Sequence, residues 1–214
     1  MQLKLLNGNI ILIGKDGEKQ IKILRGQEFS SWFEDGYGDK HMFLKYRWGK
    51  SHNAQCDDCG FFDLKNGVFS IFDGVTNVAG KEPGFGGKQA FELAQSMPMF
   101  INLLISCKDF KVAIDGFIKK NGRKKSTAVI VWLDKDKGMF HAFSVGDSKF
   151  VIGDIENDDS LIFDEQGSAL IFGDEIAHRF YSGPIKAGST LVMFTDGYLN
   201  PEDDLIHVEY EIKY

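Results

Sequence analysis

Cysteine is scarce in this chain: three residues in 214, an odd number and too few for a disulfide framework. Two of them form a lone Cys56-Asp57-Asp58-Cys59. Zinc or thiol–disulfide chemistry needs a second ligand pair or a βαβ setting, and neither is visible. The 5 histidines are too scattered for a zinc triad. No run of about 18 apolar residues occurs, so no membrane span is expected. The N-terminal stretch reaches Asn7-Gly8 too early for the apolar core of a signal peptide. Basic charge is also short. A net charge of −6 and a pI near 5.4 lack the cationic footprint of a nucleic-acid binder. The expectation is a soluble, cytoplasmic protein with neither a nucleic-acid nor a membrane partner. Internal repeats and linkers are missing too, and the length suits one domain.

What is present is 43% hydrophobic residues, with Phe 19 and Gly 24. Many phenylalanines together with many glycines point to aromatic-rich strands joined by tight turns. The stretch Val68-Phe69-Ser70-Ile71-Phe72-Asp73-Gly74 organises the reading. An apolar, β-forming run ends abruptly in an acid and a glycine, although a buried carboxylate costs several kcal/mol unless paired or metal-bound. The same grammar returns in Thr190-Leu191-Val192-Met193-Phe194-Thr195-Asp196-Gly197. A single Asp-Gly is ordinarily a turn. Two of them closing apolar strands can bring two carboxylates to one rim, as a divalent cation requires.

Along the chain, residues 1–41 read as a β-hairpin extension packed on the same domain, with Lys15-Asp16-Gly17-Glu18 as its turn. Phe29 to Asp39 reads as a loop rich in glycine and acids whose aromatics either pack on the core or face a partner. Strands are expected at Met42–Trp48, Gly60–Leu64 and from Val68. From Gly87, the apolar residues Ala90, Leu93, Ala94, Met97, Ile101 and Leu104 recur at helical spacing, with Pro98 expected to kink or divide the helix. A second helix is expected over Asp109–Lys120, stopped by Asn121-Gly122. Strands then follow at Ser126–Leu133, Met139–Val145, Lys149–Gly153 and Leu205–Lys213. Residues 160–188 read as short strands with a possible helical turn near Asp174 to His178. This is an α+β pattern, a strand-built sandwich with two adjacent helices, and not a βαβ alternation.

Acids sit at the strand ends: Asp57 and Asp58, Asp73, Asp147, Asp196, and Asp203 with Asp204. Crowded carboxylates repel unless cations neutralise them, and oxygen ligands suit Mg²⁺ or Mn²⁺. Two such ions could activate water for attack on phosphorus.

Four blocks taken in order carry a resemblance: Phe69-Ser70-Ile71-Phe72-Asp73-Gly74, Ser126-Thr127-Ala128, Val145-Gly146-Asp147-Ser148 and Phe194-Thr195-Asp196-Gly197. They resemble the signature blocks of the protein phosphatase 2C family, the PPM-type metal-dependent serine/threonine phosphatases, in a compact, bacterial-type form spanning residues 42–214. The resemblance implies a β-sandwich of two antiparallel sheets flanked by pairs of helices, with a dinuclear Mg²⁺ or Mn²⁺ site at one end. It implies that Asp73 bridges both ions, that Gly74 offers its carbonyl, and that Asp196 binds the first ion. Asp203 looks like the last ligand, with Asp204 one residue away. Asp57, or Asp58 in its place, resembles the acid that acts through metal-bound water. Asp147 resembles the acid that helps hold a third, weaker ion in some members.

The departures bear on catalysis. Where the family often carries a phosphate-holding arginine, Gly49-Lys50-Ser51-His52 places His52, with Lys50 and Arg47 nearby. After Gly74, Val75-Thr76-Asn77 replaces the usual histidine or methionine and glycines, so no histidine general acid is expected there. The chain is short between Asp147 and Asp196, and only six residues (197 to 202) separate Asp196 from Asp203. The implied function is hydrolysis of phosphoserine or phosphothreonine in a phosphoprotein substrate, with Asp73, Asp196 and His52 in the catalytic machinery. The alternatives are a non-catalytic regulatory or scaffold module of the same fold, and a hydrolase of small phosphate esters.

Overall fold

A computed structural model describes residues 1–34, 40–50, 56–76, 78–154, 159–163, 172–173, 178–186, 188–196 and 202–213. In chain order the strands are β1 (Gln2–Leu6), β2 (Asn9–Gly14), β3 (Gly17–Lys22), β4 (Glu28–Glu34), β5 (Lys40–Arg47), β6 (Asp58–Asp63) and β7 (Val68–Asp73). Two helices follow, α1 (Phe85–Cys107) and α2 (Phe110–Asn121). The remaining strands are β8 (Ala128–Asp134), β9 (Met139–Val145), β10 (Lys149–Asp154), β11 (Asp159–Phe163), β12 (Arg179–Pro184), β13 (Thr190–Phe194) and β14 (Leu205–Glu211). They form two antiparallel sheets. The first runs β12-β9-β8-β7-β6-β1-β2-β3 and the second β11-β10-β13-β14-β5-β4.

The period-2 rule explains the layering. In β8, Val129, Val131 and Leu133 face the second sheet, while Ala128, Ile130 and Trp132 face the helices. Both faces of this strand are covered, which is why it reads as a continuous apolar run. β7 divides likewise, Phe69 and Ile71 going between the sheets and Val68 and Phe72 under the helices. In β14, Ile206, Val208 and Tyr210 are buried between the sheets together with Ile212, as the alternation predicts.

The expected N-terminal hairpin is present as β2 and β3, with Gly14 opposite Gly17. β1 pairs with β6, so the N-terminal strands extend the first sheet. Two expectations need correction. Phe29–Glu34 is no loop but β4, an edge strand paired with β5. Its aromatics obey strand alternation: Phe33 is buried and Trp32 is 49% exposed. Residues 35–39 of that expected loop, and the turn near Asp174, lie outside the described residues. Second, Pro98 does not divide α1, which runs unbroken for 23 residues. The expected sandwich of two antiparallel sheets with helices is present, and the described helices α1 and α2 both pack on the outer face of the first sheet. The outer face of the second carries a row of rings, Trp32 to Phe43 (5.3 Å), Phe43 to His207 (6.3 Å) and His207 to Phe194 (6.3 Å).

α1 is long and apolar enough to cross a membrane by composition, but its apolar stripe, including Ala90, Leu93, Met97 and Phe100, is buried against the sheet and α2. α2 begins where Asp109 caps it, the carboxylate accepting the Val112 N–H at 3.0 Å. Gly122 follows its last residue with a φ of 65°, as the Asn-Gly stop predicts.

Candidate metal centre

One end of the sandwich collects the acids. β7 of the first sheet ends at Asp73, and β13 of the second sheet ends just before Asp196. β9 and β10 belong to different sheets, and Asp147 lies in the turn by which the chain crosses between them. The pairing of Lys149 with Phe194 places Asp147 and Asp196 on facing extensions of β10 and β13. Carboxylate oxygens of Asp73, Asp147 and Asp196 all lie within 4.8 Å of one another. Asp73 and Asp147 are half-buried and Asp196 is exposed.

A second tier backs this trio. Asp58 opens β6 directly opposite Asp73, and directly opposed residues of an antiparallel pair project to the same side. Asp58 is buried, and its Oδ2 accepts from Thr195 Oγ1 at 2.5 Å. Thr195 Oγ1 in turn accepts the Ile206 N–H at 2.9 Å, which ties the end of β13 to the start of β14. The Asp58 and Asp73 carboxyls thus stand side by side across the β6–β7 pair. Burial, followed by repulsion from Asp204, pushes the Asp58 carboxyl well above the ordinary 3.8. Burial, followed by repulsion from Asp58, Asp196 and Asp147, does the same to Asp73. Asp147 is raised by burial and by Asp196, against the pull of its own backbone N–H and of Lys149.

The backbone around Asp73 is fixed from three sides. The Asp73 carbonyl accepts the Thr127 N–H at 2.8 Å, and the Gly74 N–H donates to the Asp57 carbonyl at 3.1 Å. Gly74 also forms a bridge with Ser126. The buried Thr127 and Ser148 hydroxyls bond each other at 2.7 Å, linking the second and third resemblance blocks beside the cluster. The first turn of α1 presses on the same corner. A Cβ on Gly74 would lie 2.4 Å from the Gly86 carbonyl carbon and the Gly87 nitrogen, and one on Gly86 would lie 2.2 Å from the Val75 oxygen. Gly74 is thus required by close approach of the backbone, whatever its carbonyl binds.

Asp57 is buried, and its backbone supports Gly74. Asp204 acts as a latch. Its Oδ1 accepts the Gly49 N–H at 2.6 Å and its Oδ2 the Asp57 N–H at 2.5 Å. Asp203 is half-buried at the head of β14, its carbonyl accepting from Arg47 Nε at 2.9 Å, and it is not a member of the Asp73–Asp147–Asp196 trio. Lys50 is exposed, with Nζ 3.9 Å from Glu202. His52 and Gly197 lie outside the described residues. Cys56 and Cys59 are free, buried thiols, and Tyr46 donates to Cys56 Sγ at 3.2 Å. Burial raises both thiols, Cys59 to the greater-than-ordinary side by desolvation, so neither is a ready thiolate. The supports missed from sequence are the Thr195 hydroxyl, the Thr127–Ser148 pair and Gly86. Small hydroxyls beside strand-end acids were their visible signal.

The donor set fits hard divalent cations. Three carboxylates converge, and the raised pKa values of Asp73 and Asp147 mark a place where uncompensated negative charge is unfavourable.

No protein-family model matches the sequence, and no curated protein is similar to it in sequence. Solved structures do match. RsbX in complex with magnesium is 14% identical with a TM-score of 0.58, covering 85% of this chain and 98% of that one. The PPM Ser-Thr phosphatase MsPP from Mycobacterium smegmatis, in complex with cacodylate, is 11% identical with a TM-score of 0.57, covering 80% of this chain and 97% of that one. The catalytic domain of the serine threonine protein phosphatase PstP, in complex with 2 manganese ions, is 9% identical with a TM-score of 0.52, covering 88% of this chain and 97% of that one. The two antiparallel sheets, the helix pair and the strand-end acids together carry the conclusion: the chain has the fold of the PPM-type (protein phosphatase 2C) phosphatases.

Proposed function

We propose that the protein is a Mg²⁺- or Mn²⁺-dependent phosphatase that hydrolyses phosphoserine or phosphothreonine in a cytoplasmic phosphoprotein. The observation that carries this reading is the convergence of Asp73, Asp147 and Asp196 from both sheets within 4.8 Å. These three carboxylates are the groups that would hold the cations. When bound, divalent cations supply charge neutralisation at a phosphoryl group and a lowered pKa for water. The chain's own residues do the rest. Asp58, held by the Thr195 hydroxyl, stands beside Asp73, in register with it across the β6–β7 pair. Thr127, Ser148 and the α1 corner fix Asp73 in place, so little reorganisation is needed when charge develops. Lys50 and His52 are the phosphate-binding groups of this reading, and no histidine stands after Gly74 to act as general acid.

A second reading is a module of the same fold without turnover. It draws on Asp203, whose carboxylate does not join the trio. Hydrolysis of an aryl phosphate and of a phosphothreonine peptide, with Mn²⁺ or with EDTA, decides between them. The phosphatase reading expects metal-dependent turnover of both substrates that is lost in Asp73→Asn and Asp196→Asn. Turnover of the aryl ester alone would indicate small phosphate esters as substrates. A folded protein that binds Mn²⁺ by calorimetry yet turns over neither substrate would establish the non-catalytic module.

A further inference from the structure

The opposite end of the sandwich holds a groove that the acidic cluster does not account for. β7 and β8 span the distance between them, about 20 Å at roughly 3.3 Å per residue. The groove encloses 530 Å³ between the last turns of α1, the turn joining β6 to β7 and the turn joining β8 to β9. Its floor is apolar, made by Ile101, Leu104, Ile105 and Trp132, and Ile105 is 55% exposed. Its rim is cationic, although the chain as a whole carries a charge of −6. Lys65, Lys108, Lys135 and Lys137 stand around it, against Asp134 and Asp136.

The rim charges are not equivalent. Asp134 is engaged by Lys137 at 3.0 Å, and Lys135 reaches the Tyr210 hydroxyl at 3.3 Å. Lys65 and Lys108 are exposed and have no acidic partner among the described residues. They stand on two different elements, the β6–β7 turn and the residue capping α1. An adjoining hollow of 310 Å³ shares Lys108, Trp132 and Lys137 and continues past Asp109, whose carboxylate is engaged in capping α2, to Lys111 and the 39% exposed Phe180. Together the two make an elongated apolar trough edged by positive charge. Trp132 is not a free stacking platform for a base. Its ring stacks on His141 at 5.2 Å, and Lys137 Nζ lies 5.9 Å from its centroid.

We propose that this trough is a docking site for an acidic peptide segment of a partner protein, with an aliphatic or aromatic side chain seated on Ile105 and Leu104 and carboxylates facing Lys65 and Lys108. The charge complementarity selects an acidic partner, and the elongated apolar floor selects a peptide over a single anion. The site lies away from the acidic cluster, so its occupancy does not depend on phosphatase activity.

The test is fluorescence anisotropy of the intact protein with a labelled peptide of alternating Asp and Glu carrying Leu-Phe at its centre. The expectation is saturable binding that Lys65→Glu combined with Lys108→Asn weakens at least about tenfold, and that Ile105→Ala weakens several-fold. Lys108 has a φ of 52°, which Asn tolerates, and all three side chains are exposed, so these variants keep the fold. No binding at millimolar peptide would overturn the proposal. So would equal affinity for a peptide with Gly-Gly in place of Leu-Phe, which would mark a general polyanion patch. Full displacement by inorganic polyphosphate with no effect of Ile105→Ala would assign the trough to small polyanions instead.

Discussion

The Asp204 carboxylate accepts the backbone N–H of Asp57 at 2.5 Å while its other oxygen accepts that of Gly49 at 2.6 Å. One buried side chain at the head of β14 thus ties down both ends of the 49–57 segment, the second of which leads into Asp58. Asparagine keeps one acceptor oxygen but turns an NH₂ toward the other N–H, and alanine accepts from neither. Loss of Asp204 also relieves repulsion on Asp58, which offsets part of the cost. Asp204→Asn is expected to destabilise the fold by about 1–3 kcal/mol, and Asp204→Ala by more. Urea unfolding of the three proteins side by side measures it. An Asn variant as stable as the parent would mean that the latch contributes nothing.

The contact between Gly74 and Gly86 makes a sharper prediction, because backbone faces backbone and no side chain can yield. Gly74→Ala or Gly86→Ala must push α1 off the corner that holds Asp73, at a cost of at least about 3 kcal/mol. Gly14→Ala is the control, since its Cβ would meet nothing within 4 Å. That change is expected to be neutral or mildly stabilising. Thermal denaturation separates the two classes, and equal melting temperatures for Gly74→Ala and Gly14→Ala would refute the packing argument.

These two relationships show where sequence reading stops. Strand-end acids such as Asp73 and Asp196 stand out because a carboxylate closing an apolar strand conflicts with burial, and that conflict is local in sequence. β8 and β14 were readable for the same kind of reason, one a continuous apolar run and the other strictly alternating. The Asp204 latch joins residues 147 and 155 positions apart, and no local pattern distinguishes a carboxylate bound to cations from one bound to backbone N–H groups. β4 reads as a loop because the acids and glycines of Glu34, Asp35, Gly36, Gly38 and Asp39 outweigh an alternation of only three aromatics, Phe29, Phe33 and the outward Trp32. Pro98 predicts a kink or a division of α1, and division does not occur because the buried stripe holds the helix against the first sheet, tertiary packing overriding the local preference.

Thr195 offers a third test, because a single hydroxyl serves two buried partners. It donates to Asp58 and accepts from the Ile206 N–H. Thr195→Val preserves shape and leaves both partners unsatisfied, so a loss of about 2–4 kcal/mol is expected. Thr195→Ser keeps the hydroxyl and is expected to lose about 1 kcal/mol or less, from the missing methyl group. Chemical denaturation that ranks serine at or below valine would show that the hydroxyl is not what matters.

The acid cluster predicts an unusual dependence of stability on pH. Asp58, Asp73 and Asp147 all have folded-state pKa values raised above the ordinary 3.8, first by burial and then by neighbouring carboxylates. A raised carboxyl binds more protons in the folded state than in the unfolded one, so its contribution is favourable below 3.8 and is lost as pH climbs through its folded value. In EDTA, the melting temperature is therefore expected to fall between about pH 4.5 and pH 7.5 for the share these groups control. Mn²⁺ should restore it, and by more at pH 7.5 than at pH 4.5, because cations compete with protons for the same oxygens. Asp73→Asn removes one charge from the crowd. It should raise the EDTA melting temperature at pH 7.5 while shrinking the Mn²⁺-induced rise, the two readouts moving in opposite directions. Scanning calorimetry of parent and variant at both pH values, with and without Mn²⁺, reads all of these at once. An Asn variant less stable than the parent in EDTA at pH 7.5 would show that Asp73 is held by favourable contacts and not by charge awaiting a cation.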